Sequence, residues 1–211
     1  MVSFLALLGV VGVYYANYLG ATGMWGMSIN NLAQIFPFPY MPAGIFFGIA
    51  RLLIFILLGI YTFISVSKYI MHGKAHSRTT WLFFISSILN ILWVYVTAHQ
   101  MYIWSIIIIA LLMVALAQIL TRHKRRNAQN TLGWRTFGAY YGWVSMATTV
   151  LSLSMLIYLY NPTFAHSALW TYIAVAIGFL VTIISRFRRR NPGALLLQFR
   201  ALIGVLSAFL I

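Results

Sequence analysis

Seven stretches of mostly apolar residues, each near the length of a bilayer crossing, divide almost the whole chain between them. They run approximately over 2–19, 44–67, 80–98, 103–121, 136–160, 169–186 and 194–211. A crossing helix needs about 20 consecutive apolar residues. Inside hydrocarbon every peptide N–H and C=O must find a protein partner, which leaves helices or a closed barrel. The runs are long and do not alternate between apolar and polar residues, so they predict helices. The expected fold is all-α: a polytopic membrane helical bundle of about seven transmembrane helices. Charged residues make up 7% of the chain, against about 25% in soluble domains, and no stretch is left over for a water-soluble domain. The first stretch has no basic leader or clear cleavage site, so it predicts a retained span.

The links between these stretches alternate in charge. Segment 68–79 carries Lys68, Lys74 and Arg78; segment 122–135 carries Arg122, Lys124, Arg125, Arg126 and Arg135; the sixth link carries Arg188, Arg189 and Arg190, with Arg186 at its edge. Segments 20–43, 99–102 and 161–168 carry no Lys or Arg. Lys and Arg in short loops stay on the cytoplasmic side. The pattern predicts a cytoplasmic N-terminus and a C-terminus outside. It also accounts for the net charge of +14 through topology and contact with the lipid bilayer, so no nucleic-acid partner is expected.

Two residue types are missing altogether. The absence of Cys excludes disulfides, thiolate catalysis and Cys-ligated metals. The absence of Asp and Glu excludes paired-acid catalysis, carboxylate proton relays and oxygen cages for hard cations. No required cofactor or metal is expected, and neither is enzymatic activity. An engineered acid-to-amide variant and an unusual natural sequence would both account for the missing acids.

A few polar residues remain inside the apolar stretches. Arg51 lies roughly 10 Å along the second helix from its outer end. It points to an anionic ligand or a cavity, unless it snorkels to the interface. Asn90 lies at matching depth in the third helix, with Trp93 one turn on. Together these three residues would form a pocket under segment 20–43. The plainer reading of Asn90 is a hydrogen bond that holds two helices together. His99 ends the third helix near that pocket, where it would ligate haem iron, bond a ligand or simply bond a backbone group. His72 and His76 stand four apart without further ligands, and His123 in its basic run is expected to be solvated.

Three stretches, in order, resemble the tryptophan-rich sensory protein family (TspO, the translocator-protein family). Leu89-Asn90-Ile91-Leu92-Trp93 resembles the core of that family's third helix. Residues 36–49, from Phe36-Pro37-Phe38-Pro39-Tyr40 into Phe46-Phe47-Gly48-Ile49, resemble its Pro-rich outer loop entering helix two. Residues 139–148, with Tyr140-Tyr141-Gly142-Trp143, resemble its fifth helix. Ala50 and Leu151 depart from the family pattern, which has tryptophan and asparagine there. The resemblance implies a five-helix core over 1–160. Residues 161–211 would add two helices, as in longer bacterial members, and so imply a bacterial cell membrane. It also implies a cavity under the first outer loop that binds a hydrophobic small molecule, with protoporphyrin, haem or a sterol-like lipid as the class. Tyr18, Trp25, Tyr40, Trp93 and Trp143 would then offer stacking faces, beside Arg51, Asn90 and His99. A homodimer is compatible with this reading. The alternatives are a passive transporter for a hydrophobic or anionic solute and a structural or assembly subunit of a membrane complex.

Overall fold

In the computed structural model, residues 2–28, 44–72, 77–125 and 131–161 are described, together with Leu169, Ile173, Ala176, Ile177 and Leu180, which are helical. The first four blocks form five helices: α1 (Val2–Thr22), α2 (Gly44–His72), α3 (Ser77–Ala98), α4 (Tyr102–Arg125) and α5 (Leu132–Tyr160). There is no strand among the described residues. These are the first five apolar stretches, lengthened at their polar ends. α2 runs on to His72, α4 to Arg125, and α5 begins at Leu132 instead of 136. Hydropathy marks the hydrocarbon, whereas a helix ends where its backbone finds a cap. At the start of α5 that cap is Thr131, whose Oγ1 accepts from the Trp134 N–H at 3.4 Å. The sixth and seventh stretches lie outside the described residues, save the five named above.

Among the described residues, three helical stretches are long and apolar enough to cross a membrane: Phe4–Thr22, Thr79–Ala98 and Tyr102–Lys124. Leu52–Lys68 is a shorter apolar helix.

The principal packing pairs close a ring. α1 packs on α2 and α3, α3 on α4, α4 on α5, and α5 on α2. The order around the ring is therefore α1–α2–α5–α4–α3. α1 approaches α3 closely at Gly9, where an added methyl carbon would lie 2.9 Å from Ser87 Oγ. Without a hydrophobic force between helices in lipid, such close approach and buried hydrogen bonds hold the bundle. The hydroxyls of Thr97 and Ser105 supply one such bond between α3 and α4, at 2.8 Å.

Side chains of all five helices meet in one core, from Ala6 and Val10 through Ile54, Leu58 and Phe83 to Leu116, Phe137 and Val144. Some pairs join helices that are not ring neighbours, so they cross the interior. Tyr61 on α2 meets Phe83 on α3 at 6.1 Å between ring centroids, and Phe83 meets Phe137 on α5 at 5.3 Å. Tyr61 and Phe137 complete the triangle at 4.9 Å, all three edge to face. Phe83 and Phe137 are fully buried.

His123 departs from expectation. It is half-buried, not solvated: its Nδ1 bonds the Ile119 carbonyl at 3.0 Å, and its ring lies 5.8 Å from that of Phe137. Its basic neighbours in sequence suggested water, but the last turn of α4 turns this one position inward, toward α5.

Candidate functional site

At the end of the bundle away from the basic links, two helix stops create a small aromatic cluster. α1 ends at Gly23, which takes the left-handed conformation (φ 77°) while the Met24 N–H reaches back to the Leu19 carbonyl at 3.0 Å. α3 ends in the same way at Gln100 (φ 60°), with Met101 N–H on Val96 O at 2.9 Å. The two ends are tied by the Met27 N–H, which donates to Ala98 O at 2.9 Å. Gly26, at φ 130°, makes this approach feasible, because a methyl carbon there would stand 2.8 Å from Ala98 O.

Trp25 is held between these two glycines. Its ring stands edge-on to Tyr95 at 5.6 Å, and Tyr95 stacks in a tilted pair on His99 at 4.2 Å. The Tyr95–His99 pair is one helical turn apart, so both rings share one face of α3. His99 Nδ1 bonds the Tyr95 carbonyl at 2.9 Å. A carbonyl only accepts, so in the neutral ring the proton sits on Nδ1 and Nε2 keeps its lone pair. That is the arrangement in which a histidine is oriented to ligate a metal or accept a hydrogen bond. Trp25 is half-buried, and Tyr95 and His99 are exposed. A second apolar cluster at this end contains Met27, Tyr102, Ile106 and Tyr158.

Deeper along α3, Asn90 is buried and joins two other helices. Asn17 Nδ2 on α1 donates to Asn90 Oδ1 at 2.9 Å, and Asn90 Nδ2 donates to the Tyr140 hydroxyl on α5 at 2.8 Å. Asn17 Nδ2 also donates to Val13 O at 2.7 Å. A carboxamide that spends both ends on neighbours is a tie across the ring, and it sets the level below which Phe83 and Phe137 fill the interior.

The structure brings together two of the residues singled out in the sequence, Trp25 and His99, through Tyr95. Trp93 and Trp143 are partly buried and pack against the core. Tyr18 is 58% exposed on α1. Arg51 is on α2, seven residues in from Gly44, and its side chain lies outside the described residues, as does Tyr40 altogether. Tyr95 and Asn17 escaped sequence reasoning, and Tyr140 entered it only as part of a family-like stretch, with no role of its own. Asn17 carried a usable signal as the one amide in the first apolar stretch. Tyr95 carried one in its spacing from His99. Among the described residues no group of three potential metal ligands occurs.

No curated protein and no solved structure matches the chain. A family model, that of the TSPO-like protein, matches residues 3–209, from the first apolar stretch into the last. With the apolar helices that form the ring, this makes the molecule a membrane helical protein, and the chain belongs to the TSPO-like protein family.

Proposed function

We propose that this protein is a membrane sensor or regulator that holds a flat hydrophobic ligand, of the tetrapyrrole class, at the aromatic end of its helix ring. The observation that carries the reading is the Trp25–Tyr95–His99 cluster, assembled where two helices stop side by side. Flat apolar rings with one oriented nitrogen suit a planar macrocycle. The residues fit such a ligand: Trp25 and Tyr95 would hold it by stacking, and His99 Nε2 would meet a central metal or a ring N–H. Arg51, on α2, is the cation within the second apolar stretch and would be the partner in charge for the anionic substituents of a porphyrin. When bound, a metalloporphyrin would bring redox-active iron; the chain's own residues only bind and orient it. Seven spans, a cytoplasmic N-terminus and no catalytic step complete the proposal.

The aromatic triangle of Tyr61, Phe83 and Phe137 favours holding over conduction, since it occupies the interior between the cluster and the basic end. Proteoliposomes separate the two readings. Protoporphyrin should bind the protein saturably and enter the vesicle lumen no faster than in protein-free vesicles. Faster entry would establish the transporter instead.

A further inference from the structure

Eight of the fourteen Lys and Arg side chains lie between Lys68 and Arg135, in or beside the α2–α3 and α4–α5 links, and none of the fourteen has an Asp or Glu anywhere in the chain to pair with. Among the described ones, Lys68 is on α2, Arg122 and Lys124 close α4, and Arg135 opens α5. The links are short, so all four helix ends lie at one end of the bundle. At the opposite end, residues 22–28, 98–102 and 160–161 carry no Lys or Arg.

Backbone charge adds to this asymmetry. α3 and α5 both begin at the basic end, and a helix N-terminus presents partial positive charge. Neither has an acidic residue in its first turn. Arg122 and Lys124 in the last turn of α4 meet a favourable helix end, but Arg135 in the first turn of α5 does not. The fold thus concentrates like charge where it has no internal counter-ion.

What surrounds these cations identifies the counter-ion. Lys68 ends the apolar helix Leu52–Lys68, and Lys124 ends the span Tyr102–Lys124. At the same end of the bundle stand exposed apolar and aromatic side chains: Ile70 and Met71 past Lys68, and Trp81 in the first turns of α3. A row of cations at the rim of apolar spans, interleaved with apolar side chains and a tryptophan, matches a ligand with a phosphate at one level and acyl chains at the next. A polyanion in water would match only the charge.

We propose that the basic end of the ring is a binding surface for anionic phospholipid, whose phosphates serve as the counter-ions that the acid-free chain lacks. This does not depend on the tetrapyrrole reading, because it concerns the other end of the molecule and a different ligand chemistry.

The test is the association of spin-labelled phosphatidylglycerol and phosphatidylcholine with the full chain in phosphatidylcholine bilayers. The phosphatidylglycerol label should associate more strongly at low salt, and the preference should shrink as salt is added. Lys124→Gln and Arg135→Gln should each reduce it by roughly fivefold at most, with the effects adding. Equal association of the two labels at low salt would overturn the proposal without recourse to any variant. So would a preference that survives high salt, or an RNA oligonucleotide that binds the embedded protein while phosphatidylglycerol shows no preference.

Discussion

Asn90 on α3 donates a hydrogen bond to the Tyr140 hydroxyl on α5 across the middle of the ring, although those two helices are not among its principal packing pairs. With Asn17 it forms a chain of side-chain bonds through α1, α3 and α5. Such bonds contribute about 0.6 kcal/mol each within membranes, up to about 1.7. Tyr140→Phe would leave Asn90 Nδ2 buried with one bond fewer. The expected loss is about 1 kcal/mol in reversible unfolding. Asn17→Ala and Tyr140→Phe should be less than additive, since both act on the amide of Asn90. A double-mutant cycle measures this.

Gly26→Ala should act on the aromatic cluster, with little effect on the ring. Its methyl would meet Ala98 O, and φ at this position suits glycine. The expected result is an altered Trp25 environment, seen as a shift in fluorescence relative to Trp25→Phe. The unfolding transition of the core should stay within about 1 kcal/mol of wild type.

Phe137→Ala removes one corner of the aromatic triangle. Deleting a buried phenylalanine side chain costs about 3–5 kcal/mol. Because lipid competes with the core as an apolar environment, the lower part of that range is expected here. Phe63→Ala, at a site 72% exposed, should cost less than about 1 kcal/mol in the same assay.

The hydroxyls of Thr62 and Thr136 are buried and find no hydrogen-bond partner among the described residues. An unpartnered buried hydroxyl costs about 1–3 kcal/mol. Thr62→Val and Thr136→Val keep the shape and drop the polar atom, so each should leave stability unchanged or raise it by about 1 kcal/mol. A clear loss would mean that the hydroxyl holds a bond in the membrane.

The five described helices were legible in the sequence because hydrocarbon imposes a length on every crossing. Asn90 was legible because an amide stands out in an apolar run. The helix faces were harder to read. Lipid is as apolar as the core, so Phe83 and Phe137 inside look no different in sequence from Phe4 and Phe63 outside. Tyr140 lay within a recognised stretch, yet which of Tyr140 and Tyr141 turns inward depends on the rotation of α5. The role of Gly26 depends on where the end of α3 comes to rest, which no local signal records. Tyr18 shows the same limit: nothing in its apolar stretch records that the rotation of α1 leaves it 58% exposed.

In the proposed function a flat ligand stacks at Tyr95 beside Trp25 and His99. The most direct test is the affinity of protoporphyrin for the protein in bilayer nanodiscs, comparing wild type with Tyr95→Ala and with Phe63→Ala as a distant control. Saturable binding that Tyr95→Ala weakens by roughly tenfold, and that Phe63→Ala leaves unchanged, is the predicted result. Binding that Tyr95→Ala leaves untouched, or no saturable binding at all, would contradict it.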